Sequence, residues 1–184
     1  MHPEALEAVR RMVNVSGYIK YDKALGAPEL IGLDLGGADI NGTARKVVPF
    51  VERWYGSDIE PGPGVDYIGD ATDSRIIPDP KTFDVILCTE LLEHVRNWPA
   101  VLENMFTWLG VGGYAFLTFA GTDGMTWARR PHGARGGLHP DPGEYYGNVL
   151  LSEFESVLSE VVDGEEFEVW TRPVPGDIYA WFRK

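Results

Sequence analysis

The sequence has little that would tie it to a membrane, an oxidising compartment or a polyanion. A single cysteine, Cys88, stands among its 184 residues, which excludes an internal disulfide and fits a reducing compartment. No window approaches the roughly 18 consecutive apolar residues that a membrane-spanning helix needs. The amino-terminal stretch carries Glu4 and Glu7 among its apolar residues, which is not the layout of a secretory signal. A cytoplasmic protein is therefore expected. Basic residues are scarce: 16 Lys and Arg against 28 Asp and Glu give a formal charge of −12. A general nucleic-acid binder draws its affinity from Lys and Arg neutralising phosphates, so that class is disfavoured, although a local basic patch remains compatible with the total. Internal repeats and low-complexity tracts are also missing. Asn41-Gly42-Thr43 spells a glycosylation sequon, which without a secretory signal reads as a coincidence.

What is present is the composition of an ordinary globular chain, 44% hydrophobic and 24% charged. Its length suits one domain spanning 1–184 with a single core. Its most organised stretch is Glu29 to Thr43. An apolar run ends in Asp34, Leu35 leads into the pair Gly36-Gly37, and a helix is expected to begin near Thr43. That is the pattern of a first strand, a tight loop and a helix start under which a ligand lies. A dinucleotide presents a pyrophosphate, which calls for G-x-G-x-x-G and no adjacent carboxylate. Counting from Gly36, Ala38 and Asn41 replace the later glycines; counting from Gly37, Asp39 replaces the second. Asp34 and Asp39 would also repel phosphate, yet attract a sulfonium with its ammonium group. The loop therefore favours S-adenosylmethionine over NAD.

Further along, Arg53 to Gly56 reads as a second strand running out at Ser57-Asp58. Asp58 lies 24 residues after Asp34, where an acid at a strand tip accepts from ribose hydroxyls, or else simply closes the turn before Pro61-Gly62-Pro63-Gly64. Val65 to Ile68 reads as a third strand, followed by Gly69-Asp70-Ala71. Phe83 to Cys88 is a continuous apolar run that suits a strand covered on both faces. Other expectations are a helix over Ala44–Val51, a helix opening at Asn97-Trp98-Pro99 and closed by Gly110–Gly113, and a fifth strand over Tyr114–Phe119. Ser152 and Glu155 have capping-box spacing for a helix from about Glu153 to Val161, and a strand pair is expected over Phe167–Thr171 and Ile178–Phe182.

The opening Asp34-Leu35-Gly36, together with Thr89-Glu90-Leu91-Leu92-Glu93-His94-Val95 after the apolar strand, resembles the class I S-adenosylmethionine-dependent methyltransferases over nearly the whole chain. The first motif departs from the family at Ala38 and Ile40, with Asn41-Gly42 following. The resemblance implies an α/β fold, Rossmann-like and doubly wound, with a mostly parallel seven-stranded sheet and a C-terminal antiparallel strand pair. It implies S-adenosylmethionine as cofactor, touched by Asp34, Gly36, Gly37, Ala38 and Asn41 in the first loop and by Asp58 and Ile59 after the second strand. Asp70 and Ala71 would meet the adenine, and Cys88, Thr89 and Glu90 the methionine side. No metal site is expected. Glu93 and His94 invite an acid–base role, but a structural histidine at a helix end is the favoured alternative.

Pro3–Val13 has one apolar side, formed by Leu6, Val9, Met12 and Val13. It is expected either to pack on the sheet edge or, with Tyr18 and Tyr21, to form part of a cap within residues 1–28. Residues 120–148 form a long loop rich in Gly and Pro, and loops of this length are commonly functional. It carries Trp127, Arg129, Arg130, His132, Arg135, His139, Glu144, Tyr145 and Tyr146. Its positive charges either bridge to the acidic body or recognise an anionic or aromatic acceptor. His132, His139 and Glu144 are the candidate general bases. The sequence thus leads to an O- or N-methyltransferase acting on a small molecule. The alternatives are a non-catalytic S-adenosylmethionine-fold binding protein, a methyltransferase acting on a macromolecule and, least favoured, a nucleotide-dependent oxidoreductase.

Overall fold

The computed structural model describes residues 3–16, 29–40, 42–78, 82–133, 139–140 and 142–184. In chain order the elements are α1 (Pro3–Val15), β1 (Ile31–Leu35), β2 (Arg53–Asp58), β3 (Tyr67–Ile68), β4 (Phe83–Thr89), α2 (Trp98–Trp108), β5 (Leu109–Thr122), β6 (Val149–Leu150), α3 (Leu151–Val162), β7 (Phe167–Arg172) and β8 (Asp177–Arg183). Seven strands lie in the order β3-β2-β1-β4-β5-β8-β7, and the two-residue β6 pairs with the far end of β5. The pairings from β3 through to β5 are parallel, while β8 runs antiparallel to both β5 and β7. This is the Rossmann-like sheet with a C-terminal antiparallel pair, with β6 as an eighth strand.

Alternation along the central strands divides the core into two layers. Ile86 and Cys88 of β4, Ala115, Leu117 and Phe119 of β5, and Ile178, Ala180 and Phe182 of β8 face α2 and α3. Val85 and Leu87, Tyr114 and Phe116, and Tyr179 and Trp181 face α1 and the turn at Ala44. Successive side chains on a strand point to opposite faces, so a continuous apolar run is what a doubly covered strand requires. Helix α1 lies across the sheet face against β5 and β8, inward of the expected edge. Tyr18 and Tyr21, and with them the cap, fall outside the described residues.

Three local expectations are corrected. Ala44–Val51 forms only one 3₁₀ turn, Ala44–Val47, capped by the Thr43 side chain accepting from the Arg45 amide. Pro49 stops it, because a proline disfavours helical backbone in the residue before it, and Val48 is at φ −123°. The Ser152 capping box is not used: α3 starts at Leu151 with Leu150 as its cap and no side-chain capping bond. Pairing of β6 with β5 holds Leu150 extended and brings the helix start forward. Strand β5 already begins at Leu109, and its register against β4 slips between Phe83 and Val85, where the glycine run Gly110–Gly113 is absorbed.

Phe119 is fully buried, with its ring 4.7 Å from that of Phe154. Truncation to alanine leaves a cavity between β5 and α3, and Phe119→Ala is expected to cost about 4 kcal/mol, read from the urea midpoint at unchanged m-value.

Candidate functional site

The strand order reverses between β1 and β4, so the loops leaving their carboxyl ends diverge and open a crevice. A cleft of about 880 Å³ occupies that place. Gly36, Ala38, Ile40 and Gly42 line it from the β1 loop, and Ser57 to Pro63 from the β2 loop. Gly69 to Thr72 follow β3, Thr89 to Leu91 and His94 to Asn97 follow β4, and Glu144 and Tyr145 come from the long segment after β5.

The floor of the cleft is organised from behind by one ion pair. Asp34 is buried, and it accepts from Thr43 Oγ1 at 3.0 Å and from Arg45 Nε at 2.9 Å. The Arg45 guanidinium also donates to the carbonyls of Gly37 at 3.2 Å and Gly64 at 3.0 Å. One side chain thus ties the β1 tip, the glycine loop and the loop after β2 together. Burial pushes the Asp34 carboxyl above the usual carboxylate range, against the pull of Arg45 and Thr43. Gly36 stands at φ +69°, a left-handed conformation that favours glycine. A Cβ on Gly37 would lie 2.4 Å from the Asp34 carbonyl oxygen.

On the cleft side, Asp58 accepts from the amides of Ala38 and Glu60, both at 3.3 Å. Asp70 is exposed and closes an Asx turn by accepting from the Thr72 amide at 2.9 Å. Glu90, at the tip of β4, is one of two non-glycine residues at positive φ among those described, at +58°. The Glu90 carboxylate accepts from Thr118 Oγ1 at 3.1 Å and pairs with Arg129 at 3.1 Å, and its amide donates to the Thr118 carbonyl at 2.6 Å. A non-glycine residue held in the left-handed region persists where its surroundings over-determine it. Arg129 is itself buried and also pairs with Asp177. Burial opposes its charge, but Glu90 and Asp177 outweigh that and hold the guanidinium firmly protonated.

The residues singled out in the sequence therefore fall into groups. Gly36, Ala38, Asp58, Ile59, Asp70, Ala71, Thr89 and Glu90 line the cleft. Asp34, Gly37 and Cys88 are buried beneath it, Cys88 facing the α2 layer with its thiol pushed well up by burial. Asn41 lies outside the described residues. Glu144 lines the cleft, His132 stands behind it with its ring 5.3 Å from that of His94, and His139 is exposed and away from the lining. Of the positive charges in the long segment, Arg129 bridges to the acidic body, and Arg135 is outside the described residues.

Three contributors were not placed in the cleft by sequence reasoning, which weighed His94 as structural, named Tyr145 only as part of the long loop and did not mention Arg96. His94 ends a 3₁₀ turn, Leu92–His94, as a structural histidine would, but it also lines the cleft. Arg96 and Tyr145 meet across the mouth, the guanidinium carbon 4.3 Å from the ring centroid. The position of His94 directly after the carboxyl end of β4 was a usable signal; the Arg96–Tyr145 contact joins distant parts of the chain and had none.

Comparison with known proteins agrees with this geometry. The profile of the methyltransferase-domain family matches residues 15–160, and the chain belongs to that family. A ubiquinone biosynthesis O-methyltransferase of Xylella fastidiosa (strain M23) is 31% identical over 121 residues, covering 64% of this chain and 48% of the relative. Its counterpart from Paraburkholderia xenovorans is 37% identical over 60 residues, covering 33% and 26%. The chain thus spans about half or less of the length of these curated relatives. Among solved structures, the N-methyltransferase NodS from Bradyrhizobium japonicum WM9, in complex with S-adenosyl-L-homocysteine, superposes with a TM-score of 0.60 at 16% identity, covering 98% of this chain and 85% of that one. The plantazolicin methyltransferase BpumL, in complex with a triazolic desmethylPZN analogue and S-adenosyl-L-homocysteine, gives 0.66 at 14%, covering 99% and 85%. At these identities the likeness establishes the fold, that of the class I methyltransferases.

Removing the cation behind the floor leaves a buried carboxylate unpaired. Arg45→Gln is expected to cost about 3 kcal/mol at neutral pH. Without Arg45 the folded-state pKa of Asp34 rises further above its unfolded value near 3.9, so the folded state binds the proton more tightly and the loss shrinks as pH falls towards about 4. Urea unfolding at pH 7 and at pH 4 to 5 checks this, and an equal loss at both would contradict the ion-pair account.

Proposed function

We propose that the cleft binds S-adenosylmethionine and that the domain transfers its methyl group to a hydroxyl or amine of a small anionic or aromatic molecule. The observation that carries this reading is the charge of the lining. Asp58, Glu60, Asp70, Glu90 and Glu144 face Arg96 as the one Lys or Arg among the described lining residues. A pyrophosphate would meet repulsion there, whereas a sulfonium with an adjacent ammonium meets attraction. The cofactor supplies an activated methyl group on a good leaving group, so the protein's contribution is chiefly orientation.

Within this reading Asp58, steered by two backbone amides, accepts from the ribose hydroxyls, and Asp70 with Ala71 faces the adenine. The amides and small side chains of Gly36 and Ala38 allow close approach, and Thr89 and Glu90 border the methionine end. Arg96 stacked on Tyr145 offers a cation and an aromatic face to the acceptor. Glu144 on the wall is the best placed of the three base candidates to take a proton from an acceptor hydroxyl, with His132 behind His94 and His139 further out. The O-methyltransferase names of the curated relatives favour an oxygen acceptor. A cytoplasmic location is proposed from the lone buried Cys88; no helix among the described residues is long and apolar enough to cross a membrane.

Calorimetric titration with S-adenosylhomocysteine is expected to show one site per chain, and titration with NADH none. Asp58→Asn should weaken the former about tenfold, the effect of losing one charge-assisted hydrogen-bond acceptor. Binding of NADH, or wild-type affinity in the variant, would count against the assignment. Product binding without methyl transfer to any compound of a metabolite extract would leave the non-catalytic alternative.

In the same extract assay, Glu144→Ala is expected to lower turnover at least tenfold while S-adenosylhomocysteine affinity stays within about twofold. Unchanged turnover would remove Glu144 from the chemistry.

A further inference from the structure

Behind the acceptor end of the cleft, three ligand-type side chains converge. Glu93 and His94 come from the turn after β4, and His132 from the segment after β5. One donor atom from each, a carboxylate oxygen and two ring nitrogens, lies within 4.8 Å of the other two. Glu93 is fully buried, and its carboxylate meets only the backbone amides of Glu93 itself and Ala120, with no side-chain hydrogen-bond partner. Both ring nitrogens of His94 are shielded from solvent and have no side-chain hydrogen-bond partner, the Tyr145 backbone being the polar group beside the ring. Amide contacts leave the charge uncompensated, and buried charges in proteins are ordinarily paired with an opposite charge or bound to a metal.

The surroundings supply no counter-charge dedicated to Glu93. Arg129, the nearby cation, is engaged by Glu90 and by Asp177. Three carboxylates, those of Glu90, Glu93 and Asp177, therefore share one guanidinium. The two imidazole rings stand almost perpendicular, at 85°, and the Tyr146 ring packs edge-on to both. The Tyr146 hydroxyl donates to the Arg130 carbonyl at 3.2 Å, so Tyr146 walls the cluster without joining it. Both segments are pinned: the Gly147 amide donates to the Glu93 carbonyl at 2.8 Å, and Asn148 exchanges two hydrogen bonds with the Arg129 backbone at 2.9 and 3.0 Å.

We propose that Glu93, His94 and His132 form a binding site for one divalent transition-metal cation of the zinc class. Two imidazoles and one carboxylate are a donor set that such ions take, and three protein ligands leave a coordination position open. At ligand distances of about 2.0–2.2 Å the donors of one ion lie roughly 3–4 Å apart, so side-chain rotations of about an ångström close the set. The cation neutralises the buried carboxylate and gives His132 a role other than proton transfer. His94 also lines the cleft, so a bound ion would sit beside the proposed acceptor end, and an acceptor hydroxyl or phenolate oxygen would complete its coordination. Only this last step rests on the methyltransferase reading; the metal site stands on its own residues.

The full chain, stripped with a chelator and dialysed, is titrated with Zn²⁺ by calorimetry and with Co²⁺ by visible absorption, with a parallel S-adenosylhomocysteine titration. One Zn²⁺ per chain and Co²⁺ bands of a low-symmetry nitrogen–oxygen site are expected. Glu93→Gln, which keeps shape and removes charge, and His132→Gln should each weaken Zn²⁺ binding at least tenfold, with cooperative thermal unfolding by circular dichroism retained. No stoichiometric metal binding by the wild type, or binding that survives both substitutions, overturns the site. Metal binding by a wild type that fails to bind S-adenosylhomocysteine supports the site and removes the cofactor reading instead.

Discussion

The fork made by Arg45 on Asp34 is the constraint on which the cleft depends. Strand β1 ends at the middle of the sheet with a carboxylate that burial makes expensive, and the guanidinium that neutralises it has donors left over. Those donors hold the carbonyls of Gly37 and Gly64, so the loops after β1 and β2 are set relative to each other by a single planar group. Gly56 belongs to the same device, since a Cβ there would lie 1.9 Å from the Gly64 carbonyl oxygen and 2.5 Å from the guanidinium. The loop after β1 therefore keeps its path without the later glycines of the family's first motif.

The cleft has two ends with different chemistry. Towards β2 and β3 the walls are small residues and carboxylates fixed by backbone amides, as with Asp58 and Asp70. Towards β4 and the long segment the walls rest on buried charge: Glu90 at positive φ, Arg129 and Asp177 deep in the sheet, and the Glu93, His94 and His132 group behind them. Arg129 is the link, since it fastens the long segment to the sheet and at the same time fixes the tip of β4.

The strands were legible because apolar runs and alternation report burial directly: Phe83 to Cys88 could lie nowhere except in the doubly covered centre. The acids at three strand tips were legible from spacing, although spacing did not distinguish Asp34, which works from underneath, from Asp58, which faces the cleft. Local signals failed where a longer-range contact overruled them. Pairing of β6 with β5 moved the start of α3 ahead of Ser152, and Pro49 cut short the helix expected over Ala44–Val51. The end of the cleft towards β4 was least legible, because His94 with His132, and Arg96 with Tyr145, are brought together only by the fold.

Hydrogen–deuterium exchange with and without S-adenosylhomocysteine tests the central claim most directly, since it reports where the ligand sits as well as whether it binds. Slowed exchange confined to residues 36–40, 57–63, 69–72 and 89–97 is predicted. Binding that protects some other surface, or an exchange pattern unmoved by saturating ligand, would contradict the account.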